Sequence, residues 1–201
     1  QNRNRMAALV AVTAAYLAAL GFLLFRSRQQ DFPSICIPCT IAFCAYAAMS
    51  MRADLSLRHA FFIGMLARAM ACMSFPSLSD DLYRFWWDGQ CLVHGINPFE
   101  FTPRELLSQG ALDMPSAAEN FRLLNSKDYH SVYPSFCQLL FFISARIAGD
   151  DLQLFAVVLR LFFFAAELPA ILLFNKARKM FSVRSQACIL YLLNPLLIAE
   201  S

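Results

Sequence analysis

Residues Met6–Phe25 read MAALVAVTAAYLAALGFLLF, an uncharged apolar run. A bilayer span needs roughly 20 consecutive apolar residues, and this stretch supplies them. A secretory signal is the competing reading. Its apolar core is about 7–15 residues, shorter than this run, and further apolar segments follow. We therefore read residues 6–25 as a first membrane-spanning helix.

Working outward, the same criterion marks Phe32–Met51, His59–Phe75, Leu152–Phe174 and Ala187–Ile198, the last running on to the end of the chain at residue 201. The fold class expected is all-α, a polytopic transmembrane helix bundle. It comprises three spans within 6–75, a long extracytoplasmic loop at 76–131, a span at 152–174 and a truncated one at 187–201. Composition agrees: 59% of residues are hydrophobic, 20 are Phe, and the mean hydropathy is +0.50. Soluble domains carry about 45–50% apolar residues. The net charge is only +3 with no basic stripe, so nucleic acid is excluded as a partner. The chain opens on Gln1 and closes within an apolar segment, so a fragment of a longer protein is expected, although Met6 could be a start.

Charge sets the expected orientation. Segment 76–131 carries eight carboxylates (Asp80, Asp81, Asp88, Glu100, Glu105, Asp113, Glu119 and Asp128) against Arg84, Arg104, Arg122 and Lys127. Lys176, Arg178, Lys179 and Arg184 form a basic loop, and Arg3 and Arg5 make the N-terminus basic. Basic loops stay cytoplasmic. Placing both basic ends inside requires Val132–Ala148 to lie as a juxtamembrane or re-entrant helix rather than a full span. The acidic segment then faces the periplasm.

Charges inside spans are costly and point to function or to inter-helix contacts. Arg68 lies in the third segment. Arg160 and Glu167 share a helix face about 10 Å apart, too far to pair directly. Pro169 is expected to kink that helix. Of seven Cys, six sit in apolar runs, and Cys36 and Cys39 read as small buried hydrophobes rather than a redox pair.

The chemistry-bearing stretch is Ser79-Asp80-Asp81-Leu82-Tyr83-Arg84-Phe85-Trp86-Trp87-Asp88-Gly89. Adjacent carboxylates repel and are tolerated most easily where they do acid/base or cation chemistry. The bland alternative is a solvated loop start. If 80–88 is helical, Arg84 shares a face with Asp80 and Asp81. It is then either a guanidinium open to phosphate or one half of a surface ion pair. Trp86 and Trp87 suit the headgroup level, or sugar stacking. His94 and His130 are candidate polar contacts.

These residues resemble the N-terminal half of bacterial membrane glycosyltransferases of the GT-C superfamily, of the polyprenol-phosphate-mannose-dependent mannosyltransferase type. The likeness rests on the Asp-Asp-x-Tyr-Arg start and Trp87-Asp88-Gly89. It continues with Gly95, Asn97, Pro98 and Phe99, then Tyr133-Pro134, then Asn194, Pro195, Leu196 and Glu200. It covers about residues 55–201. Ser135 stands where the family has a second proline, and the chain ends before the family's Gly-His segment.

The resemblance implies transfer of a hexosyl, in this type a mannosyl, residue from a polyprenyl-phosphate-linked sugar to the hydroxyl of a glycan or lipid acceptor. The enzyme would be a multi-pass protein of the cytoplasmic membrane, in contact with membrane lipids, its site facing the periplasm. Asp80 would be the base, with Asp81 beside it raising its pKa, binding a cation or holding the acceptor. Arg84 would bind the donor phosphate. Trp87, Asp88, Asn97, His130 and Tyr133 would contact substrate. A divalent metal on Asp80 or Asp81 is left open, with no second ligand to name. The alternatives are a transporter or flippase-like protein built on Arg68, Arg160 and Glu167, or an inactive truncated piece.

Overall fold

A computed structural model describes residues 2–52, 55–76, 78–111 and 116–200, with the side chains of Asn2 and Glu200 outside the description. Asp113, counted in the acidic segment, and Ser201 also lie outside it. Every regular element among the described residues is helical: α1 (Asn2–Phe25), α2 (Phe32–Ser50), α3 (Leu57–Met73), α4 (Asp81–Val93), α5 (Pro103–Ser108), α6 (Ala117–Leu123), α7 (Ser135–Ala148), α8 (Leu152–Met180), α9 (Ser185–Leu192) and α10 (Pro195–Glu200). Local chemistry sets several starts. Asp31 accepts from the Ser34 amide ahead of α2, and Ser56 from the His59 amide ahead of α3. Thr102 and Glu105 form a reciprocal capping box on α5.

Three helices are long and apolar enough to cross a bilayer: α1, α2 and α8. They mark a membrane protein. Two expected spans differ. The third, placed at 59–75, is the 17-residue α3, about 26 Å long against a hydrocarbon core of about 30 Å. The last, at 187–201, is interrupted at Asn194-Pro195 into α9 and α10, because Pro195 has no N–H to continue the ladder. Within segment 76–131 fold α4, α5 and α6. α7, in the stretch expected to lie along or re-enter the membrane, has 14 residues, about 21 Å. Pro169 sits inside α8 without ending it.

The chain divides into two compact units. One contains α1–α3, the part of α8 from residue 163, α9 and α10. Its core gathers Tyr16, Leu20, Ala42, Met49, Ala67, Ile189, Leu193 and Ile198. The break after α9 leaves carbonyls without intrahelical donors, and side chains supply them. Tyr16 Oη donates to Leu193 O at 2.6 Å, Tyr46 Oη to Leu190 O at 3.1 Å, and Arg68 Nη1 to Leu192 O at 2.7 Å. Gly64 permits that approach, because a Cβ there would meet Leu192 O at 2.7 Å.

Arg68, fully buried, also grips Glu167 through Nε at 2.5 Å and Nη2 at 3.1 Å, and Tyr191 Oη donates to the same carboxylate at 3.3 Å. Glu167 is thus committed to α3. Arg160 is buried as well.

The other unit, residues 78–162, holds α4–α7 and the start of α8. α4 lies against α7 at a distance that only glycine allows. A Cβ on Gly89 would come within 2.5 Å of Phe141 O and 3.0 Å of Ala145 Cβ. α7 turns Gln138, Phe141, Ser144, Ala145 and Ala148 inward and leaves Phe136, Leu139 and Ile147 exposed.

Candidate functional site

Asp80 is the residue at the N-cap position of α4, but its side chain makes no capping hydrogen bond. An N-cap aspartate ordinarily accepts from the first-turn amides, an interaction worth about 1 kcal/mol. Here Ser79 Oγ takes the Asp81 amide instead, at 3.2 Å. The Asp80 carboxylate is half-buried and accepts no hydrogen bond among the described residues. Asp81 is tethered, since Asn125 Nδ2 donates to its Oδ1 at 3.2 Å. The positive end of the α4 dipole favours both charges.

Two phenols border the pair. Burial pushes the Tyr83 hydroxyl above its ordinary range, and the Asp80 charge pushes it the same way. Burial also raises Tyr133, with Asp81 the next cause. Both stay protonated near neutrality and present O–H donors beside the carboxylates. Tyr133 is fixed edge-on to Phe85 and Phe141, at centroid distances of 4.9 and 5.6 Å.

Beneath this lies a buried polar network. The sequence placed Arg84 on the same face as Asp80 and Asp81, open to phosphate or paired at the surface. The structure turns it one helical turn forward and inward. Nε donates to Asp88 Oδ1 at 2.8 Å, and Nη1 donates to Ser126 O at 2.9 Å, Tyr129 O at 2.8 Å and Ser126 Oγ at 3.3 Å. Arg84 is 3% exposed and Asp88 0%. A fully buried carboxylate costs far more unpaired than the half-exposed pair at the helix start, so it captures the guanidinium. Arg84 is therefore a positioning residue that straps segment 126–131 onto α4, which corrects the expected phosphate ligand. Asp88 belongs to the same framework, accepting from Ser131 Oγ at 2.5 Å and Gln138 Nε2 at 2.9 Å.

No protein family, curated protein or solved structure matches this chain. The site is thus read from its own geometry.

Trp87, expected against substrate, is 1% exposed, its ring tilted onto Phe121 at 5.8 Å. Its burial leaves no ring face open to a sugar. Asn97 is exposed and engaged in its own turn, donating to Glu100 Oε1 at 3.0 Å and accepting from the Phe99 amide at 3.1 Å. His130 is exposed, and its charge helps hold the Glu105 carboxyl below its usual range, after the Thr102 backbone and hydroxyl donors. Only Tyr133 of the expected substrate contacts borders the carboxylate pair.

Sequence reasoning missed Asn125, Ser126, Ser131 and Gln138. Gln138 carried a readable signal, a lone amide among apolar residues on α7. The other three lie in a polar segment where nothing distinguishes them. Among the described residues, no group of three or more His, Cys, Asp or Glu side chains could hold a metal.

Proposed function

We propose that this protein is a membrane glycosyltransferase that moves a hexosyl group from a polyprenyl-phosphate-linked sugar to an acceptor hydroxyl at the outer face of the cytoplasmic membrane. The observation that carries the reading is the Asp80 carboxylate, placed at a helix start and yet capping nothing. A hydroxyl is a weak nucleophile until a base takes its proton. As the acceptor oxygen bonds to the anomeric carbon, the Asp80 carboxylate receives that proton. The bond from the anomeric carbon to the phosphate oxygen breaks, and polyprenyl phosphate leaves with the electron pair. Asp81, tethered by Asn125, holds the acceptor while the Asp80 carboxylate takes the proton.

Tyr83 and Tyr133 offer donors to sugar hydroxyls, and Arg84 with Asp88 fixes the segment that carries Asn125. The mannosyl form of the donor follows from the resemblance in the sequence. The outward-facing site follows from the acidic charge of 76–131 set against the basic loop at 176–184.

The test is transfer of labelled mannose from polyprenyl-phosphate-mannose in membranes containing the protein. Asp80→Asn should lower turnover by roughly 100-fold or more, as loss of a general base does, and leave donor affinity little changed. No transfer by the wild type, or near-normal turnover by Asp80→Asn, overturns the proposal.

A further inference from the structure

We propose that the cleft formed by α3, α8 and α9 binds one acyl chain of an anionic glycerophospholipid, with the lipid phosphate held at the cleft's basic end by Arg58 and the lysines at the end of α8. The cleft has a volume of about 330 Å³. Phe61, Phe62, Leu172 and Leu192 line it, with Arg58, Asn175 and Tyr191 adding polar groups. Phe62 is 58% exposed and Leu172 68%, so the apolar wall opens outward from a helix bundle whose surroundings are hydrocarbon.

Charge chooses the occupant. Arg58 is exposed one residue into α3 and stands over the Phe62 ring at 5.8 Å, so it remains at the mouth of the cleft. Asn175 is followed by Lys176, Arg178 and Lys179 within the last turns of α8, and by Arg184. No acidic residue occurs between Glu167 and Glu200. Arg178 points along its own helix end, bonding Asn175 Oδ1 at 3.3 Å and Val183 O at 3.4 Å. Lys176 and Lys179 have no ion pair among the described residues.

The basic start of α1 belongs to the same end, because Arg52 Nη2, just after α2, donates to Arg5 O at 3.1 Å. An apolar slot between helices with cations at its cytoplasmic mouth suits a lipid with an anionic headgroup. Inorganic phosphate would leave the apolar wall unfilled, and a zwitterionic headgroup would present its own cation to Arg58. The inference does not rest on glycosyl transfer.

Native mass spectrometry of the detergent-purified protein tests it, with phosphatidylglycerol, phosphatidylcholine of the same chains, inorganic phosphate and polyprenyl phosphate as probes. Phosphatidylglycerol should be retained over phosphatidylcholine. Arg58→Gln should weaken that retention about fivefold, the value of one juxtamembrane cation. Leu172→Trp, which fills the slot, should weaken it as well. Arg28→Gln, beyond the other end of α1, should not. Equal retention of the two phospholipids overturns the proposal, as does an equal effect of Arg58→Gln and Arg28→Gln. Displacement of phosphatidylglycerol by inorganic phosphate overturns it too. Preferential displacement by polyprenyl phosphate assigns the cleft to a donor lipid and likewise overturns it.

Discussion

Replacing Arg84 by Met tests the framework beneath the site. The substitution removes four donor contacts, to Asp88 Oδ1, Ser126 O, Ser126 Oγ and Tyr129 O. It also leaves a carboxylate with 0% exposure facing only Ser131 and Gln138. Breaking a buried pair by deleting one partner costs about 3–5 kcal/mol, because the remaining charge stays desolvated. That corresponds to a shift in the unfolding equilibrium of between roughly one hundred and several thousand fold.

The protein reports on this unit unaided. Its two tryptophans are Trp86 and Trp87, both on α4 and both buried. Denaturant unfolding of the detergent-solubilised protein, followed by tryptophan fluorescence, therefore reads the unit that contains Arg84. Arg84→Met should lower the midpoint strongly. Arg84→Met combined with Asp88→Asn should recover a large part of the loss, since no uncompensated charge remains and the side-chain amide oxygen at position 88 still accepts from Ser131 and Gln138. An Arg84→Met midpoint within about 0.5 kcal/mol of wild type, the range of ordinary surface changes, would refute the reasoning and return Arg84 to the free cations.

Gly89→Ala should destabilise the same unit by about 1–3 kcal/mol, the range for overpacking, because the new Cβ meets the Phe141 carbonyl, which is backbone and cannot swing aside; an unchanged fluorescence midpoint would contradict the close α4–α7 contact. Burial, with Asp88 adding and Arg84 opposing, pushes the Cys91 thiol from 9.0 to about 12. Cys91 should therefore resist alkylation at pH 8 until the protein unfolds. The raised value also fixes a sign: stability from the neutral thiol is full below pH 9 and is lost as pH rises toward about 12, because the unfolded thiol ionises first. Mass-resolved alkylation and a midpoint-versus-pH series check both.

By itself the sequence determined that this is a helical membrane protein, because apolar run length maps onto bilayer thickness without reference to partners. Met6–Phe25, Phe32–Met51 and Leu152–Phe174 each lie within, or within a residue of, helices of membrane-crossing length. It also singled out the Asp80-Asp81 pair, but left open whether 80–88 is helical or the start of a solvated loop; the structure begins α4 at Asp81.

Tertiary structure decided the rest. Whether α3 has the length to span depended on where Ser56 and Ser74 end it, not on its hydropathy alone. The sequence pointed to an inter-helix contact for Glu167 without naming the other side, and the structure pairs it with Arg68, 99 positions away in the chain. Arg84 has acidic neighbours one turn away in both directions, Asp80 behind and Asp88 ahead, and periodicity treats them alike. Only the packing of α4 on α7, allowed by Gly89, buries Asp88 and makes it the carboxylate that must be paired. Desolvation is a property of what lies across the helix. That is why the paired and the free carboxylate are indistinguishable in the chain and separate only in the fold.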